Sequence, residues 1–581
     1  MIALRKKDPA RAIALLKPVA DANPSDSATA NALARAYLAA GKKDEAVELY
    51  QRAAANNPDS VVVQTSAALM RMQFGDPTEG VADLEKIADT DKGADLATPL
   101  LVMGDLQRGD VGKAATTAEA LVKRQPDDAV ALNLLGSVRV AQDRLPEAEK
   151  IFTDIISKDR NFLAARRNLA QVYMASSKPD EAKKIWLDLL KDKPDDNRAM
   201  MGLADIAIQK QDMREAADRL SQAQENSPRD PTPSARLVQL YAAQHDWNSA
   251  LNVAQQMEAQ FPTNSQVVDI VAGVRLQSGD PAGAAAGFRS LIQRVPESAP
   301  LFGRYAFYQR QAGDLEGART SLRKAIALDP VGVRYMGDLV KLDYDDKGVD
   351  GALATANSFA AKQPALADLL ASEVLLSAKR VPEAMAVLTH AHQDHPISAT
   401  EVSLANLTYG SGKRDEAKAL LQTWIKGHDS DVAARLALAN MLLSEGNNDG
   451  AQAIYEQIRE MSPNNVMALN NLAWIYAKKR DPRAPDLARL AYRISPSPQT
   501  EDTLGWVLMG TGDSGKALTY LKDAGAAMPN DATVQYHLAA ALKATGDTAK
   551  ARSVLEQALK TDANFDGKED AQKLLDELKR G

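Results

Sequence analysis

The sequence predicts an all-α fold, in which about sixteen helix-turn-helix units stack into a right-handed superhelical solenoid. The first observation is an interval of 34 residues between prolines, which form the series Pro24, Pro58, Pro126, Pro194, Pro228, Pro262, Pro296, Pro330 and Pro364. The second is a small residue twelve positions before each slot of this series and of its continuation, and sixteen of these seventeen positions hold Ala. They are Ala12, Ala46, Gly80, Ala114, Ala148, Ala182, Ala216, Ala250, Ala284, Ala318, Ala352, Ala384, Ala417, Ala451, Ala484, Ala517 and Ala551. Because one such unit cannot bury its apolar face alone, its neighbours must stack on it.

Residues 27–60 show the plan of one unit. Leu33 and Tyr37 recur at helical spacing and predict a first helix, while Ala46 and Leu49 belong to a second. The small residues are expected where the two helices cross, because only a short side chain permits close approach of the backbones. Glycine is expected to end the first helix, since it adopts the left-handed conformation at little cost. The glycines in this position are Gly41, Gly75, Gly109, Gly279, Gly313, Gly412, Gly446, Gly512 and Gly546.

The period divides the chain into four parts. Residues 1–26 are predicted to be a truncated half repeat, 27–366 ten units of 34 residues, 367–565 six units of 32–34 residues, and 566–581 a capping helix. The half repeat predicts that the chain is a piece of a longer protein or that its start is mis-assigned, with any signal peptide or lipid-anchoring Cys in the part before Met1. Residues 333–366 diverge most, because Asp343-Tyr-Asp-Asp-Lys347 replaces the glycine-containing turn. A bend in the solenoid and a drifted repeat that still stacks are both compatible with this unit.

Composition and motifs exclude several classes of function. The net charge is −7 without a basic block, so nucleic acid is not an expected partner. The chain has no Cys, which excludes disulfides and thiolate metal sites. No apolar run approaches the ~20 residues of a membrane-spanning helix. No phosphate loop, nucleophile elbow or zinc-protease motif is present, so we expect no enzyme activity and no cofactor. The acidic pairs Asp44-Glu45 and Asp415-Glu416 are expected at helix starts.

The spacing of the small residues, Tyr, Ala and Pro resembles the tetratricopeptide repeat (TPR) family over essentially all of residues 1–565. Three strings near the end resemble the C-terminal repeats of TPR lipoproteins from bacterial exosortase (PEP-CTERM) and exopolysaccharide loci, and loosely those of cellulose-export subunits. The strings are Leu469-Asn-Asn-Leu-Ala-Trp-Ile-Tyr476, Asp502-Thr-Leu-Gly-Trp506 and Tyr536-His-Leu-Ala539. The resemblance implies a non-enzymatic scaffold for protein partners in a bacterial envelope, periplasmic or associated with the outer membrane.

Two other functions remain open alongside the scaffold. One is a groove that binds a linear polysaccharide or peptide directly. The other is a cytoplasmic adaptor of the co-chaperone kind, although the basic clamp that some family members use for a partner's carboxylate is not reproduced. Partner identity and oligomeric state do not follow from the sequence.

The resemblance also implies which residues face the concave groove, because the first helices line it in this family. Carried onto this chain, the ligand- or partner-binding positions are Asn31, Arg35, Asn133, Arg167, Gln171, Asn406, Asn440, Asn470, Trp474, Asp502, Trp506 and Tyr536. Trp474, Trp506 and Tyr536 come from three consecutive units, and they either stack on a ligand or fill gaps between repeats.

The six histidines are not expected to bind metal. His390, His392 and His395 form the one cluster, but His390 and His392 are two residues apart on a helix and diverge, so we expect a solvated helix end. His245, His428 and His537 stand alone in the sequence and are expected to be structural or surface residues.

Overall fold

The computed structural model describes residues 9–23, 26–40, 42–90, 92–295, 297–561, 565 and 567–580. The chain divides into two compact units, Met1–Pro233 and Ser234–Gly581, and this division does not coincide with the change of period after residue 366. Within the described residues the regular structure is helical throughout.

The helices are numbered in chain order. The first thirteen are α1 (Pro9–Ala22), α2 (Ser27–Ala39), α3 (Lys43–Ala55), α4 (Val61–Phe74), α5 (Pro77–Ala88), α6 (Ala94–Arg108), α7 (Val111–Arg124), α8 (Ala129–Ala141), α9 (Leu145–Lys158), α10 (Leu163–Ala175), α11 (Pro179–Asp192), α12 (Asn197–Gln209) and α13 (Met213–Asn226). Then follow α14 (Thr232–Ala243), α15 (Trp247–Gln260), α16 (Ser265–Gln277), α17 (Pro281–Ile292), α18 (Ala299–Gln311), α19 (Leu315–Leu328), α20 (Val333–Asn357), α21 (Pro364–Ser377), α22 (Val381–Asp394) and α23 (Ser398–Gly410). The last ten are α24 (Arg414–Gly427), α25 (Val432–Ser444), α26 (Asn448–Met461), α27 (Val466–Lys478), α28 (Ala484–Ile494), α29 (Pro498–Gly510), α30 (Ser514–Ala527), α31 (Ala532–Ala544), α32 (Thr548–Thr561) and α33 (Lys568–Arg580).

The helices pack as consecutive pairs, from α2 with α3 to α31 with α32. With α20 counted as two helices joined at a kink, the described residues form sixteen pairs, which confirms the predicted all-α repeat fold. The first helix of many pairs also contacts the first helix of the next, as α27 contacts α29 and α29 contacts α31. Hydrophobic clusters therefore follow one another along each of the two compact units.

The small-residue series is the contact point within each pair, as predicted. Every alanine of the series is at most 2% exposed. At Gly80 even a methyl group does not fit, because a Cβ there would lie 2.5 Å from the backbone nitrogen of Met72. The predicted register of the repeats is therefore confirmed. The acidic pairs Asp44-Glu45 and Asp415-Glu416 lie in the first turns of α3 and α24, also as predicted.

The prediction that glycine ends the first helices is correct for seven units and incomplete for the others. Gly109, Gly279, Gly313, Gly412, Gly446, Gly512 and Gly546 have positive φ angles. In six other units a residue with a side chain takes the left-handed conformation at the same turn: Asp143, Ser177, Gln211, His245, Lys379 and Arg480. Gly75 ends α4 as predicted, but without the left-handed conformation, since its φ is −116°. Pro24, Gly41 and Pro296 lie outside the described residues.

The divergent unit at residues 333–366 keeps its helix through the segment that was expected to form a turn. Residues 343–347 are helical within α20, and the break lies at Gly348, with φ 71° and ψ −166°. The segment stays helical because Asp343 and Asp346 both bind Arg319 of α19. The turn between the two halves of α20 is therefore shorter than the turn in the other repeats.

The two ends of the described chain each present one covered face. Ala12 and Ala20 of α1 are buried, and α1 packs against α2. In α33, Ala571 and Leu575 are buried in the last hydrophobic cluster, while the remaining side chains of this helix are exposed or half-buried. No helix in the described part of the chain has both the length and the apolar character needed to cross a bilayer.

Candidate partner-binding groove

A groove of about 1690 Å³ lies at the C-terminal end of the second compact unit, Ser234–Gly581. The helices α27, α29 and α31 form its wall, and α33 lies along the opposite rim. Trp474, Trp506 and Tyr536, which the sequence singled out, all line this groove. We call it the C-terminal groove.

The packing of α33 determines the charge of the rim. Because Ala571 and Leu575 face the hydrophobic cluster, Lys568, Asp570 and Lys573 are directed to the groove. The opposite rim carries Lys478 and Asp481. Arg480 and Glu569 also line the groove, which therefore has an aromatic floor between rims that carry charges of both signs.

Trp474 is half-buried and already has a cationic neighbour. The Nζ atom of Lys478, one helical turn further along α27, lies 3.7 Å from the centre of the indole ring. This distance gives a strong cation–π contact. A ligand that stacks on this face of Trp474 must displace the ammonium group or include it in the contact.

Trp506 is covered on one face by His537. The two rings are nearly parallel, at 16°, and their centres are 4.0 Å apart. His537 is only 4% exposed, and its Nδ1 atom lies 2.9 Å from a carboxylate oxygen of Asp502. The imidazole is thus held in place between Asp502 and the indole, and it positions Trp506.

Tyr536 offers little surface to a ligand. Its side chain is buried, with 8% exposed, and its ring is tilted against Trp506. A Cβ at Gly567 would lie 2.8 Å from the Tyr536 ring, so the glycine before α33 permits close approach of the chain. Tyr536 therefore acts mainly in packing α33 onto α31.

His537 has a structural role, as expected, and its partner Asp502 lies in the preceding repeat. Asp502 and His537 are 35 residues apart, which places them on neighbouring first helices. The same separation joins Asn133 to Asn168 and Asp269 to Arg304. A search of the sequence for polar residues 35 positions apart, which is one repeat length plus one residue, would have found this contact.

The predicted groove residues fall into two structural classes. In one class the side chain is packed or bonded within the repeats: Asn31 accepts from Tyr50, Asn133 from Asn168, Arg167 binds Asp196, Asp502 binds His537, Tyr536 is buried, and Asn470 is half-buried. The other class lies one turn further along each first helix: Arg35, Gln171, Asn406, Asn440, Trp474 and Trp506. Its members are exposed or half-buried, but exposure alone does not separate the classes, because Asn31 is exposed as well and Asn440 accepts a hydrogen bond from Tyr455.

Asn406 and Asn440 line a smaller groove of about 410 Å³ between α23 and α25. The Oδ1 atom of Asn440 accepts a hydrogen bond from Tyr455, and Asn471 donates to the same hydroxyl at 2.8 Å. Asn406 is exposed and also lines this groove. The Asn440 side chain is therefore held by contacts that involve two repeats.

The strongly shifted pKa values near the C-terminal groove have structural causes. A hydrogen bond from Arg483 lowers the pKa of Asp481 to about 2, so this rim carboxylate stays ionised. Burial and the hydrogen bond to Glu456 raise the pKa of Tyr476 to about 12. Burial also raises the pKa of Tyr455 to about 12. Both tyrosines lie in the hydrophobic cluster beneath the groove.

The histidine cluster differs in part from the expectation. His390 and His392 diverge as predicted, since His392 bonds to Glu401 at 2.9 Å. His395, however, converges with His390 on Asp368 of α21. The expected solvated helix end is therefore wrong for His395, which is only 21% exposed at its side chain. No spacing rule in the sequence indicates Asp368, which lies 22 residues before His390.

Comparison with known proteins gives matches to repeat proteins over much of the chain. Of curated relatives, a TPR repeat-containing protein of Pseudomonas aeruginosa is 30% identical over 166 residues, which are 27% of this chain and 28% of that protein. Cellulose synthase 1 operon protein C of Komagataeibacter xylinus is 24% identical over 291 residues, 49% of this chain and 18% of that protein. The chain thus matches less than a third of the length of each relative. A solved structure, the APC/C hetero-tetramer Cut9-Hcn1, covers 86% of this chain and 99% of the matched chain at 14% identity, with a TM-score of 0.37.

Two family models, both described as tetratricopeptide repeat, match the chain itself. One matches residues 3–69 and 508–578. The other matches residues 101–161, 167–231, 402–451 and 436–497. Together these segments cover more than half of the sequence, and they agree with the helix pairs and with the buried alanine series. The chain therefore belongs to the tetratricopeptide repeat family.

Proposed function

We propose that this protein is a non-enzymatic scaffold that holds a partner protein through an extended segment of that partner, seated in the C-terminal groove. The observation that carries the proposal is the groove itself, with two half-buried tryptophans between charged rims. Half-buried aromatic residues in a depression are typical anchor points of protein interfaces.

The chemistry of the groove favours a peptide over a sugar chain. Lys478 lies over Trp474, and His537 covers one face of Trp506. Both indoles therefore have one face already engaged. The positive and negative side chains on the rims suit the backbone amides and mixed charges of a peptide.

The tyrosines with strongly raised pKa values have structural roles, and this supports a non-enzymatic function. Tyr455 and Tyr476 lie in the last hydrophobic cluster, whereas Tyr308, whose pKa burial and Asp269 raise to about 12, lies in another. These groups are bonded between helices and do not share one pocket. An active site would gather such groups at one place.

The pathway is proposed from the relatives. Similarity to the product of a cellulose synthase operon supports a role in an exopolysaccharide or protein-sorting system of a bacterial envelope. The three C-terminal strings that resemble exosortase-associated lipoproteins lie on α27, α29 and α31, which form the groove. A periplasmic or outer-membrane-associated location is part of the same proposal, and a cytoplasmic adaptor is its alternative.

Selection of peptides on the full chain tests the groove. We expect a random peptide library to yield binders whose affinity falls about tenfold or more in Trp474→Ala and Trp506→Ala, because each change removes an anchor worth about 1.4 kcal/mol or more. Trp247→Ala is the matched control, since Trp247 is also half-buried but lies on α15, away from the groove. Fluorescence anisotropy with labelled peptide measures the affinity.

Two results would contradict the proposal. One is selected peptides that bind both groove variants as tightly as the wild type. The other is a failure to select peptides while cellohexaose quenches tryptophan fluorescence in the wild type and not in Trp474→Ala, which would favour the direct polysaccharide groove. Circular dichroism of each variant checks that the helices are retained.

A further inference from the structure

A cluster of three potential metal ligands lies between α21 and α22, outside the C-terminal groove. Asp368 is in the first turns of α21, His390 is near the end of α22, and His395 follows that helix. One oxygen of Asp368 lies 3.1 Å from Nδ1 of His390 and 2.7 Å from Nε2 of His395. All three ligand atoms lie within 4.8 Å of one another.

We propose that Asp368, His390 and His395 bind a divalent transition-metal ion of the zinc class. Two imidazole nitrogens and one carboxylate oxygen are ligands that zinc prefers. Tetrahedral coordination at about 2.0–2.1 Å places neighbouring ligand atoms about 3.3 Å apart. The His390–Asp368 distance is close to this separation, and the shorter His395–Asp368 contact must open by rotation of the side chains to admit the ion.

Asp394 supplies an independent reason for a metal site. One oxygen of Asp394 lies 3.1 Å from Nε2 of His390, the ring nitrogen that does not face Asp368. A metal-binding histidine commonly donates its other N–H group to a carboxylate, which fixes the ring and its tautomer. Asp394 is therefore a positioning residue for His390.

The exposure of the ligands defines the kind of site. Asp368 and His395 are each 21% exposed at the side chain, while His390 is 60% exposed. With three protein ligands, one coordination position remains for water or for a ligand atom of another molecule. The proposed ion would join α21 to the end of α22 and leave this position on the protein surface.

Zinc titration of the full chain tests the site. With metal-free protein, isothermal titration calorimetry with ZnCl₂ should show one bound equivalent at this site, and MgCl₂ should give no binding because it avoids nitrogen ligands. We expect His390→Ala and His395→Ala each to weaken zinc binding by about 100-fold or more. Asp394→Asn should weaken binding by about 10- to 100-fold, as is typical of a residue that orients a ligand.

His392→Ala is the control variant. His392 lies on the same helix, two residues from His390, and bonds to Glu401 instead of Asp368. The His392→Ala variant should therefore bind zinc with the affinity of the wild type. The nearly isosteric Asp368→Asn provides a ligand variant that retains the packing of α21, and circular dichroism verifies the folding of each protein. The proposal is overturned if the wild type does not bind zinc, if the ligand variants bind it as the wild type does, or if His392→Ala loses it as well.

Discussion

Replacing Arg319 by Met should lower the free energy of unfolding by about 3 kcal/mol, the lower end of the range for a broken buried pair, because the buried Asp343 then keeps only the half-exposed Lys347 as a cation. Arg319 is 2% exposed, and its Nε atom donates to Asp343 at 2.7 Å. It also binds Asp346 and Glu316, so a single side chain of α19 holds three carboxylates. This contact maintains the helical segment that replaces the usual turn in α20.

Urea unfolding followed by circular dichroism measures the loss. Lys479→Met is the control, because Lys479 pairs with the exposed Asp449 and its removal should cost less than about 1 kcal/mol. In the double variant Arg319→Met/Asp343→Leu, the loss should be smaller than the sum of the single losses, since neither charge is left buried alone. Similar losses for Arg319→Met and Lys479→Met would contradict the prediction, because the buried pair would then contribute no more to the free energy of unfolding than an exposed pair.

The ion pair of Arg319 and Asp343 should also make the free energy of unfolding depend on pH in the acidic range. Burial alone would raise the pKa of Asp343, but hydrogen bonds from Thr355, Arg319 and Lys347 outweigh it and hold this pKa below its usual value. The stabilisation is thus complete above the unfolded pKa of about 3.9 and is lost as the pH falls through the lower folded value. The difference in stability between wild type and Asp343→Asn should shrink on that acidification.

Ala250→Trp and Ala318→Trp should each destabilise the protein by about 1–3 kcal/mol or more, because an indole must enter a closed helix crossing. Both alanines have no exposed surface. Ala259→Trp is the control, as Ala259 is exposed on α15, the helix that carries Ala250. We expect this change to alter stability by less than about 0.5 kcal/mol. Equal thermal melts of Ala250→Trp and Ala259→Trp would contradict the register of the repeats.

The sequence predicted the helix pairs and their contact points because packing imposes them. Close backbone approach excludes any large side chain, so the alanine series and Gly80 are visible as a period. The turn residues were predicted less well, since Ser177, Gln211 and others adopt left-handed conformations where glycine was expected. The helices on both sides of the turn impose the left-handed conformation, and a residue with a side chain adopts it there in spite of its energetic cost.

Contacts between side chains on different helices were the part that the sequence did not reveal. His390 and His395 meet because Asp368 on another helix draws both together, which no spacing within α22 indicates. His537 was missed as a support of Trp506 for the same reason, since its partner Asp502 is one repeat away. The choice between ligand stacking and packing for Trp474 and Trp506 stays a prediction, although the structure places both in one groove.

Photo-cross-linking from the C-terminal groove tests most directly whether the last three repeats hold a partner protein. A benzophenone amino acid at Met509, which lines the groove on α29, is compared with the same group at Val62, which is 66% exposed on α4. In cells of the source organism, we expect a discrete protein adduct from position 509 that disappears when Trp474→Ala is added. The same adduct from both positions, or one that persists in the Trp474→Ala background, would contradict the assignment of the groove.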